Sequence, residues 1–195
     1  MTPLLRPCLV ITSALLGLTC LVYPAAVTLA ASALFPAQAQ GSLVVEGRRV
    51  RGSSLLGQTL ARPTEHPEYI WGCPSSASVD TATGLVVSSG SNLGPSNPAL
   101  HEQVRERVEA LRATGVNGPI PVDLVTSSGS GLDPHLSLAA VEVQVPRVAR
   151  ARGVSEEEVR RLAREQTEGR TLGLLGEPRV NVLLLNLALD RQTKR

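Results

Sequence analysis

The feature that most constrains this chain is an uncharged N-terminal run, with no Asp, Glu, Lys or Arg from Pro7 to Val45. Within it, the stretch from Leu9 to Phe35 is almost wholly apolar. About 20 apolar residues cross the ~30 Å hydrocarbon core of a bilayer, and a helix satisfies its own backbone there. The sequence therefore predicts a short tail over residues 1–8, a transmembrane helix over residues 9–35 and a tethered domain over residues 36–195.

A cleaved signal peptide is the alternative for this run, because Ala37-Gln38-Ala39 has the A-x-A form of a cleavage site. That alternative would make the protein a secreted binding protein released after Ala39. The apolar run is about twice the ~7–15 residues of a signal-peptide core, which favours a retained anchor. The charge pattern does not decide on which side of the membrane the domain lies. Arginines flank the run on both sides, and the positive-inside bias weakens for long translocated domains.

Composition narrows the class of partner. The net charge is +2 and the chain has four aromatic residues, which argues against a nucleic-acid partner. Cys8 and Cys20 would lie roughly 18 Å apart on a helix, too far for a disulfide. Cys73 is the remaining cysteine, so we expect neither a disulfide framework nor a zinc site.

The domain after the span is predicted to be α+β. Turn signals and apolar spacing favour a hairpin over residues 41–52 with its turn at Glu46-Gly47, and an ordered, irregular segment over residues 62–96. Asn97 and Pro98 can open a helix that stops at Gly115. Residues 121–126 resemble a short buried strand.

The last part of the chain is predicted to be mainly helical. A second helix is expected from Ser137 to Arg152, kinked at Pro146. A third begins with a capping box at Ser155 and runs to about Gln166. Apolar spacing over residues 178–190 favours a helix but leaves a buried strand open.

No arrangement of residues indicates catalysis or metal binding. Ser130, Asp133 and His135 are the residue types of a nucleophile triad, but triads are assembled across a fold and no G-x-S-x-G elbow is present. Local turn formation explains them better, and the remaining hypothesis is a membrane-tethered hydrolase using Ser130 or His135. His66 and His101 have no partners at metal-ligand spacing.

The Gly- and Ser-rich loop at residues 127–131 is not a Walker loop. Such a loop requires G-x-x-x-x-G-K-[ST], and the single lysine of the chain is Lys194. A nest of backbone N–H groups could hold an anion, but a structural turn is the better interpretation. We therefore predict no catalytic residue, no metal site and no directly bound cofactor.

Five sequence blocks, with Val22-Tyr23-Pro24 in the span, are specific enough to compare with a known family. They are Gly52–Gln58, Ser89–Leu93 with Ser96–Pro98, Val122–Thr126 with Gly129–His135, Gln144–Arg152, and Arg179–Val182 with Leu185–Asp190. In this order, and over nearly the whole chain, they resemble the KdpC family. That family is the small subunit of the bacterial high-affinity potassium-transporting Kdp ATPase.

The resemblance implies a retained anchor, a cytoplasmic tail and an extracytoplasmic α+β domain in a single-pass protein of the cell membrane. It also implies a complex with a channel-like potassium-binding subunit, a P-type ATPase subunit and a very small membrane subunit. The motif residues that it marks as structural or interface candidates are Gly52, Ser53, Gln58, Gly90, Ser91, Asn92, Asn97, Asp123, Ser130, Asp133, Asn181 and Asn186.

Members of the family are described as assembly partners with no catalytic activity of their own, and as catalytic chaperones that raise the affinity of the ATPase subunit for ATP. An extracytoplasmic domain cannot reach cytoplasmic ATP, so the resemblance implies an association with ATP only through the complex. An indirect effect, in which the bound subunit favours one state of its partners, fits better. The chain departs from the family at Cys73, where the family usually has Arg, which puts any ion pair of that Arg in doubt.

Overall fold

The computed structural model describes residues 2–58 and 65–193. The chain divides into two units, residues 1–53 and residues 54–195. Each unit is described by itself. The predicted bounds of the tail, the span and the extracytoplasmic domain refer to a membrane and stay predictions.

The first unit begins with a long helix composed of three consecutive segments. They are α1 (Thr2–Leu16), a π-helical segment (Gly17–Val22) and α2 (Tyr23–Leu34). From Pro3 to Leu34 the helix has 32 residues and a mean hydropathy of 1.9, with none of the apolar window buried. Within the described residues it is the one helix long and apolar enough to cross a membrane.

The π-helical segment lies directly before Pro24. A proline here has no N–H to donate, and its ring would clash with the carbonyl of Cys20 in a regular α-helix. The Tyr23 N–H instead donates to the Leu18 carbonyl, five residues back, which widens the turn. Local π adjustments of this kind allow apolar helices to keep a proline.

A short helix and a β-hairpin complete the first unit. They are α3 (Pro36–Ala39), β1 (Leu43–Glu46) and β2 (Arg49–Ser53), with the two strands antiparallel. The hairpin is confirmed, but its turn is Gly47–Arg48, one residue later than predicted. Gly47 has φ 63°, a left-handed conformation that glycine adopts readily in a two-residue hairpin turn.

The second unit is mixed helix and sheet, as predicted. Its elements are β3 (Ser78–Val79), β4 (Val86–Val87), α4 (Pro98–Ala113), a 3₁₀ turn (Val122–Leu124), β5 (His135–Ser137), α5 (Leu138–Glu142), α6 (Val145–Arg152), α7 (Glu156–Glu165), β6 (Thr167–Glu168), β7 (Arg179–Asn181) and α8 (Val182–Thr193). Strands β5, β7 and β6 form an antiparallel sheet with β7 in the centre. Strands β3 and β4 form a separate hairpin within the irregular segment.

The core of the second unit lies between the central strand and the C-terminal helices. Most of its side chains come from β5, β7, α5, α6, α7 and α8, and Ile70, Trp71, Leu111, Leu124 and Val125 complete it. The fully buried apolar side chains are of small to medium size. They include Leu136, Val141, Val145, Val148, Val159, Val180, Leu185 and Leu189. Close packing of such side chains fixes the relative positions of the polar residues that the same helices carry.

The predicted helix boundaries are confirmed for α4 and α7. The Asn97 side chain accepts a hydrogen bond from the Ala99 N–H at 2.9 Å, and Pro98 occupies the first turn of α4. The Ser155 side chain accepts one from the Glu158 N–H at 3.2 Å. These caps satisfy N–H groups that a helix leaves unpaired at its start.

The strand predicted over residues 121–126 is wrong, because this segment forms a 3₁₀ turn at Val122–Leu124. The Val122 carbonyl accepts from the N–H groups of Val125 and Thr126 and from the Thr126 hydroxyl. Such local hydrogen bonds compete with a strand ladder. Leu124 and Val125 are buried while Val122 is exposed, so the apolar run serves a turn rather than a buried strand.

The helix predicted from Ser137 to Arg152 is two helices, with a break at residues 143–144. Pro146 would place its ring against the carbonyl of Glu142, and α5 ends at that residue. Ser137 caps α5 through the Ala140 N–H, as its position predicts.

Residues 178–190 contain both of the alternatives left open by the sequence. Strand β7 ends at Asn181, and α8 begins at Val182. The Asn181 carboxamide oxygen accepts from the Leu184 N–H at 3.2 Å, so this one residue ends the strand and caps the helix.

Leu185→Ala should destabilise the second unit by about 2–5 kcal/mol, because it removes a fully buried side chain at the centre of the core. Leu174→Ala is the matched control, since Leu174 is 79% exposed. Denaturant unfolding of the full-length protein in detergent, followed by Trp71 fluorescence, measures both. Equal unfolding midpoints for the two variants would contradict this placement of the core.

Candidate functional site

Three loops from distant parts of the chain meet backbone to backbone. We call them the glycine cluster, and they are residues 54–58, 88–92 and 127–133. The Gly57 N–H donates to the Leu132 carbonyl at 2.8 Å. The Ser88 hydroxyl donates to the Ser130 carbonyl at 2.8 Å. The cluster therefore joins three of the sequence blocks that carry the family resemblance.

Glycine is required in this cluster because the backbones are too close for a side chain. A Cβ atom at Gly57 would lie 2.5 Å from the Asp133 carbonyl oxygen, and one at Gly90 would lie 2.9 Å from that of Gly129. A Cβ at Gly131 would lie 2.6 Å from the Ser89 carbonyl oxygen. Gly131 also has φ 69°, which disfavours any other residue.

The Ser130 and Asp133 side chains accept local hydrogen bonds, as the turn interpretation expects. The Ser130 hydroxyl oxygen accepts from the Leu132 N–H at 3.1 Å. The Asp133 carboxylate accepts from the His135 N–H at 2.9 Å and lies 3.5 Å from Nδ1 of the same ring. Within the described residues no hydrogen bond joins Ser130 to His135, so the geometry offers no activated nucleophile.

His135 is the most unusual residue of this group. Its Nε2 is buried and has no hydrogen-bond partner among the described residues, although Glu168 Oε1 lies 3.5 Å away. That distance is too long and too poorly aligned for a hydrogen bond. The described residues contain no group of three His, Cys, Asp or Glu side chains that could hold a metal ion, so His135 is not a ligand in such a group.

Several predicted motif residues stabilise the backbone around them. The Asp123 carboxylate accepts from the Ser137 N–H at 2.8 Å, which ties the 3₁₀ turn to the start of α5. The Asn181 amide donates to the Ser54 carbonyl at 2.8 Å. Asn92 has φ 52°, a left-handed turn conformation that Asn tolerates. The Gln58 amide makes a long contact with the Leu56 carbonyl, at 3.5 Å.

Two of the predicted residues, Gly52 and Ser53, lie in the first unit. Gly52 pairs with Val44 in the hairpin of the first unit, where the Ser53 hydroxyl donates to the Gly41 carbonyl at 2.7 Å. Ser91 is half-buried in the second unit. The glycine cluster thus contains six of the predicted residues, which are Gln58, Gly90, Ser91, Asn92, Ser130 and Asp133. The other six, Gly52, Ser53, Asn97, Asp123, Asn181 and Asn186, lie in other parts of the chain.

A second arrangement, not predicted from the sequence, holds residues 66–71, which we call the clamped segment. Asn186 on α8 accepts from the Ile70 N–H at 2.8 Å and donates to the Ile70 carbonyl at 2.9 Å. Gln144, fully buried before α6, does the same for Trp71, at 2.9 and 3.1 Å. Two carboxamides therefore replace the neighbouring strands that this segment lacks.

Arginines complete the clamp. Arg147 donates to the carbonyls of Pro67 and Tyr69 at 2.5 and 3.0 Å, and its guanidinium lies 3.8 Å from the centre of the Trp71 ring. Arg152 donates to the Glu68 carbonyl at 2.6 Å and to the Asp190 carboxylate at 2.8 Å. Charged donors to carbonyls are among the stronger hydrogen bonds in proteins.

The sequence did contain a signal for this clamp. Gln144 and Arg147 are three residues apart and Asn186 and Asp190 four apart, so each pair lies on one helix face. Gln144 and Asn186 bind backbone groups some 70 to 120 residues away, and a sequence pattern cannot identify such distant partners.

Cys73, the departure from the family pattern, lies half-buried beside the glycine cluster. Its thiol donates to the Thr126 carbonyl at 3.3 Å. Burial raises the pKa of the Cys73 thiol, and the carboxylates of Asp133 and Asp123 act in the same direction against a backbone hydrogen bond from Ser128. The thiol is therefore neutral at physiological pH and is not an activated nucleophile.

Gly131→Ala should destabilise the protein by about 2–4 kcal/mol, because a side chain here meets two backbones in a left-handed conformation. Gly129→Ala, two residues earlier, is the control, since a Cβ at Gly129 has nothing within 4 Å. Chemical unfolding of both variants tests the close approach. A Gly131→Ala variant as stable as Gly129→Ala would show that the loops do not meet as described.

Comparisons with known proteins cover nearly the whole chain. The family model described as K+-transporting ATPase, c chain, matches residues 5–191. A Potassium-transporting ATPase KdpC subunit from Sorangium cellulosum (strain So ce56) is 61% identical over 188 residues, covering 95% of this chain and 96% of its own. Proteins of the same name from Burkholderia mallei (strain SAVP1) and Burkholderia pseudomallei (strain K96243) are each 52% identical, with 97% of both chains covered. The chain belongs to the KdpC family, the c chain of the K+-transporting ATPase.

Proposed function

We propose that this chain is a non-catalytic subunit of a high-affinity, ATP-driven potassium uptake ATPase. In this proposal the N-terminal helix anchors the chain in the cell membrane and its second unit is extracytoplasmic. The chain stabilises the complex and raises the affinity of the ATPase subunit for ATP. Its partners are a channel-like potassium-binding subunit, a P-type ATPase subunit and a small membrane subunit.

The observation that carries the proposal is the near-complete match to relatives named as subunits of a potassium-transporting ATPase. The family match begins at residue 5, so it includes the apolar helix. That helix therefore lies within the residues matched by the family model, and its length exceeds that of a signal-peptide core, which favours an anchor over release after Ala39.

The geometry of the motif residues supports a role without catalysis. Asp123, Asn181 and Asn186 use their side chains to satisfy backbone groups. Ser130 is bound to its own loop, and Cys73 is a neutral thiol. Catalytic groups need a free, activated side chain near a place for substrate, and these residues supply structural hydrogen bonds instead.

An indirect effect on ATP affinity also fits the loop at residues 127–131. The Gly131 N–H donates to the Ser128 carbonyl at 3.2 Å, and the Leu132 N–H to the Ser130 hydroxyl. These two amides are occupied within the loop, whereas a phosphate-binding nest presents its N–H groups to the ligand. A subunit that binds one conformation of its partners more tightly shifts their equilibrium, and so changes ATP affinity without touching ATP.

Two exposed apolar areas of the second unit are candidate contact surfaces for other subunits. One is the β3–β4 hairpin, where Val79, Leu85 and Val86 are about 60% exposed. The other is the turn at residues 171–175, whose tip is Leu172. Contiguous exposed apolar side chains on a folded protein mark interaction sites.

Affinity purification of this chain from detergent-solubilised native membranes should recover a P-type ATPase subunit and a potassium-binding subunit. Deletion of residues 1–40 should reduce that recovery several-fold, because helix–helix packing in the bilayer contributes to assembly. Protease treatment of intact cells with a permeabilised outer envelope should cut the second unit. Unchanged recovery and transport after the deletion would contradict the docking role, and protection of the second unit would contradict its placement.

Complexes that lack this chain should have a lower apparent affinity for ATP, by about fivefold or more, in the range of typical coupling energies. Steady-state ATPase assays of the purified complex measure this, and complexes with Ser130→Ala should behave as wild type. Photo-crosslinking of ATP to the isolated chain, competed by excess nucleotide and lost on mutation of residues 127–131, would contradict the indirect route.

A further inference from the structure

A cavity of about 350 Å³ opens beside the clamped segment, between that segment, the end of α4 and helix α6. Its lining consists of Pro67, Trp71, Thr114, Arg147, Arg150 and Ala151. Two of these residues are cationic and none is acidic. The proposed function uses none of them, so the cavity is a separate feature of the second unit.

Arg147 lines the cavity as a largely desolvated cation. The residue is 7% exposed, and its hydrogen bonds go to two carbonyls and to Gln144 rather than to a carboxylate. Its Nε is buried without a hydrogen-bond partner among the described residues. A buried donor left unpaired costs about 1–3 kcal/mol, more for a charged group.

The charge on Arg147 is not neutralised by its surroundings. Burial lowers its pKa to about 10, with Glu68 opposing that effect, so the guanidinium stays protonated at neutral pH. The Glu68 carboxylate lies 3.3 Å from Nδ1 of His66 rather than against Arg147. The cavity lining therefore carries positive charge that no carboxylate of the described residues pairs with.

Arg150 adds a second guanidinium on the same wall of α6. Its side chain is exposed, and within residues 2–58 and 65–193 that side chain makes no hydrogen bond or ion pair. The arginines of the neighbouring helix α7 are paired with glutamates, such as Arg160 with Glu142 and Arg164 with Glu157. Arg150 is thus distinguished from them by having a cavity beside it and no partner.

The rest of the lining limits the kind of anion that fits. Pro67, the Trp71 ring and Ala151 are apolar, and removing a doubly charged phosphate from water against such walls is more costly than removing a single carboxylate. A guanidinium binds a carboxylate through parallel N–H donors. A carboxylate carried on a short hydrocarbon stem satisfies both halves of the site, with the stem against Trp71.

We propose that this cavity binds a carboxylate on an apolar stem, held by Arg150 at the rim and Arg147 beneath it. The carboxylate comes either from a free organic acid or from an Asp or Glu side chain of another subunit. The second source rests on the proposed function, whereas the first does not.

The first arm of the test uses Trp71, the single tryptophan of the chain, as a reporter. Full-length protein in detergent is titrated with hexanoate, with hexanol as the uncharged match and inorganic phosphate as the anion without a stem. A free-acid site gives a saturable fluorescence change with hexanoate alone. Arg150→Gln should weaken it about tenfold, the loss of one charge-assisted contact, and Arg164→Gln should leave it unchanged.

The second arm measures co-purification of the other ATPase subunits with the same two variants. A partner carboxylate in the cavity predicts at least a threefold loss with Arg150→Gln and none with Arg164→Gln, while hexanoate added to wild-type membranes competes. Thermal unfolding of both variants checks that they remain folded, as expected for exposed residues.

The outcomes distinguish the two sources of the carboxylate from each other and from a failure of the proposal. A hexanoate response lost in Arg150→Gln, or an assembly loss specific to Arg150→Gln, supports the corresponding source. Absence of both effects overturns the proposal, and so does an equal response to phosphate or hexanol. If wild-type protein recovers no partner, the proposed function fails, and the fluorescence arm alone then decides for or against the site.

Discussion

The structure of the second unit depends on how residues 66–71 are held without a neighbouring strand. Ile70 and Trp71 at the end of this segment are buried, so their backbone groups must find acceptors and donors, and none is supplied by a sheet. The carboxamide of Asn186 binds the N–H and carbonyl groups of Ile70, and that of Gln144 binds those of Trp71. Each carboxamide thus donates and accepts as a neighbouring strand would. Because Gln144 and Asn186 sit beside α6 and on α8, the segment is fixed to the same helices that enclose the apolar core. Loss of the clamp would therefore affect the core, not only a loop.

The glycine cluster solves a related problem by a different means. Its loops approach so closely that carbonyl oxygens occupy the space of Cβ atoms at Gly57, Gly90 and Gly131. Backbone and serine hydrogen bonds then hold the loops together, such as that from the Ser75 hydroxyl to the Gly131 carbonyl at 2.6 Å. The N–H groups of Gly131 and Leu132 are occupied by hydrogen bonds within their own loop. This explains why a loop rich in Gly and Ser can resemble a phosphate site in sequence and yet be a structural junction.

The parts of the fold that could be predicted from the sequence are those set by local chemistry. The apolar helix, the caps at Asn97 and Ser155 and the hairpin depend on residues a few positions apart, and each was found. Composition alone misleads where hydrogen bonds of the backbone decide the structure. Residues 121–126 have the composition of a strand, but local hydrogen bonds to the Val122 carbonyl and the hydrogen bond from the Ser137 N–H to the Asp123 carboxylate fix a turn. The clamp could not be predicted, because carboxamides at helical spacing do not reveal which distant backbone they bind.

In the proposed function, this chain influences a transporter without catalytic groups of its own. A ligand or partner shifts a conformational equilibrium only by the difference in its binding free energy between the two states. A rigid surface is suited to that purpose, because it cannot adapt equally well to both. The clamp and the glycine cluster hold loops of the second unit through specific hydrogen bonds. In the carboxylate proposal, the cavity beside Trp71 adds a charged contact whose strength depends on placement of the carboxylate, so a small movement of a bound partner would change its free energy appreciably. The proposed function therefore requires only that this chain bias the states of its complex through binding.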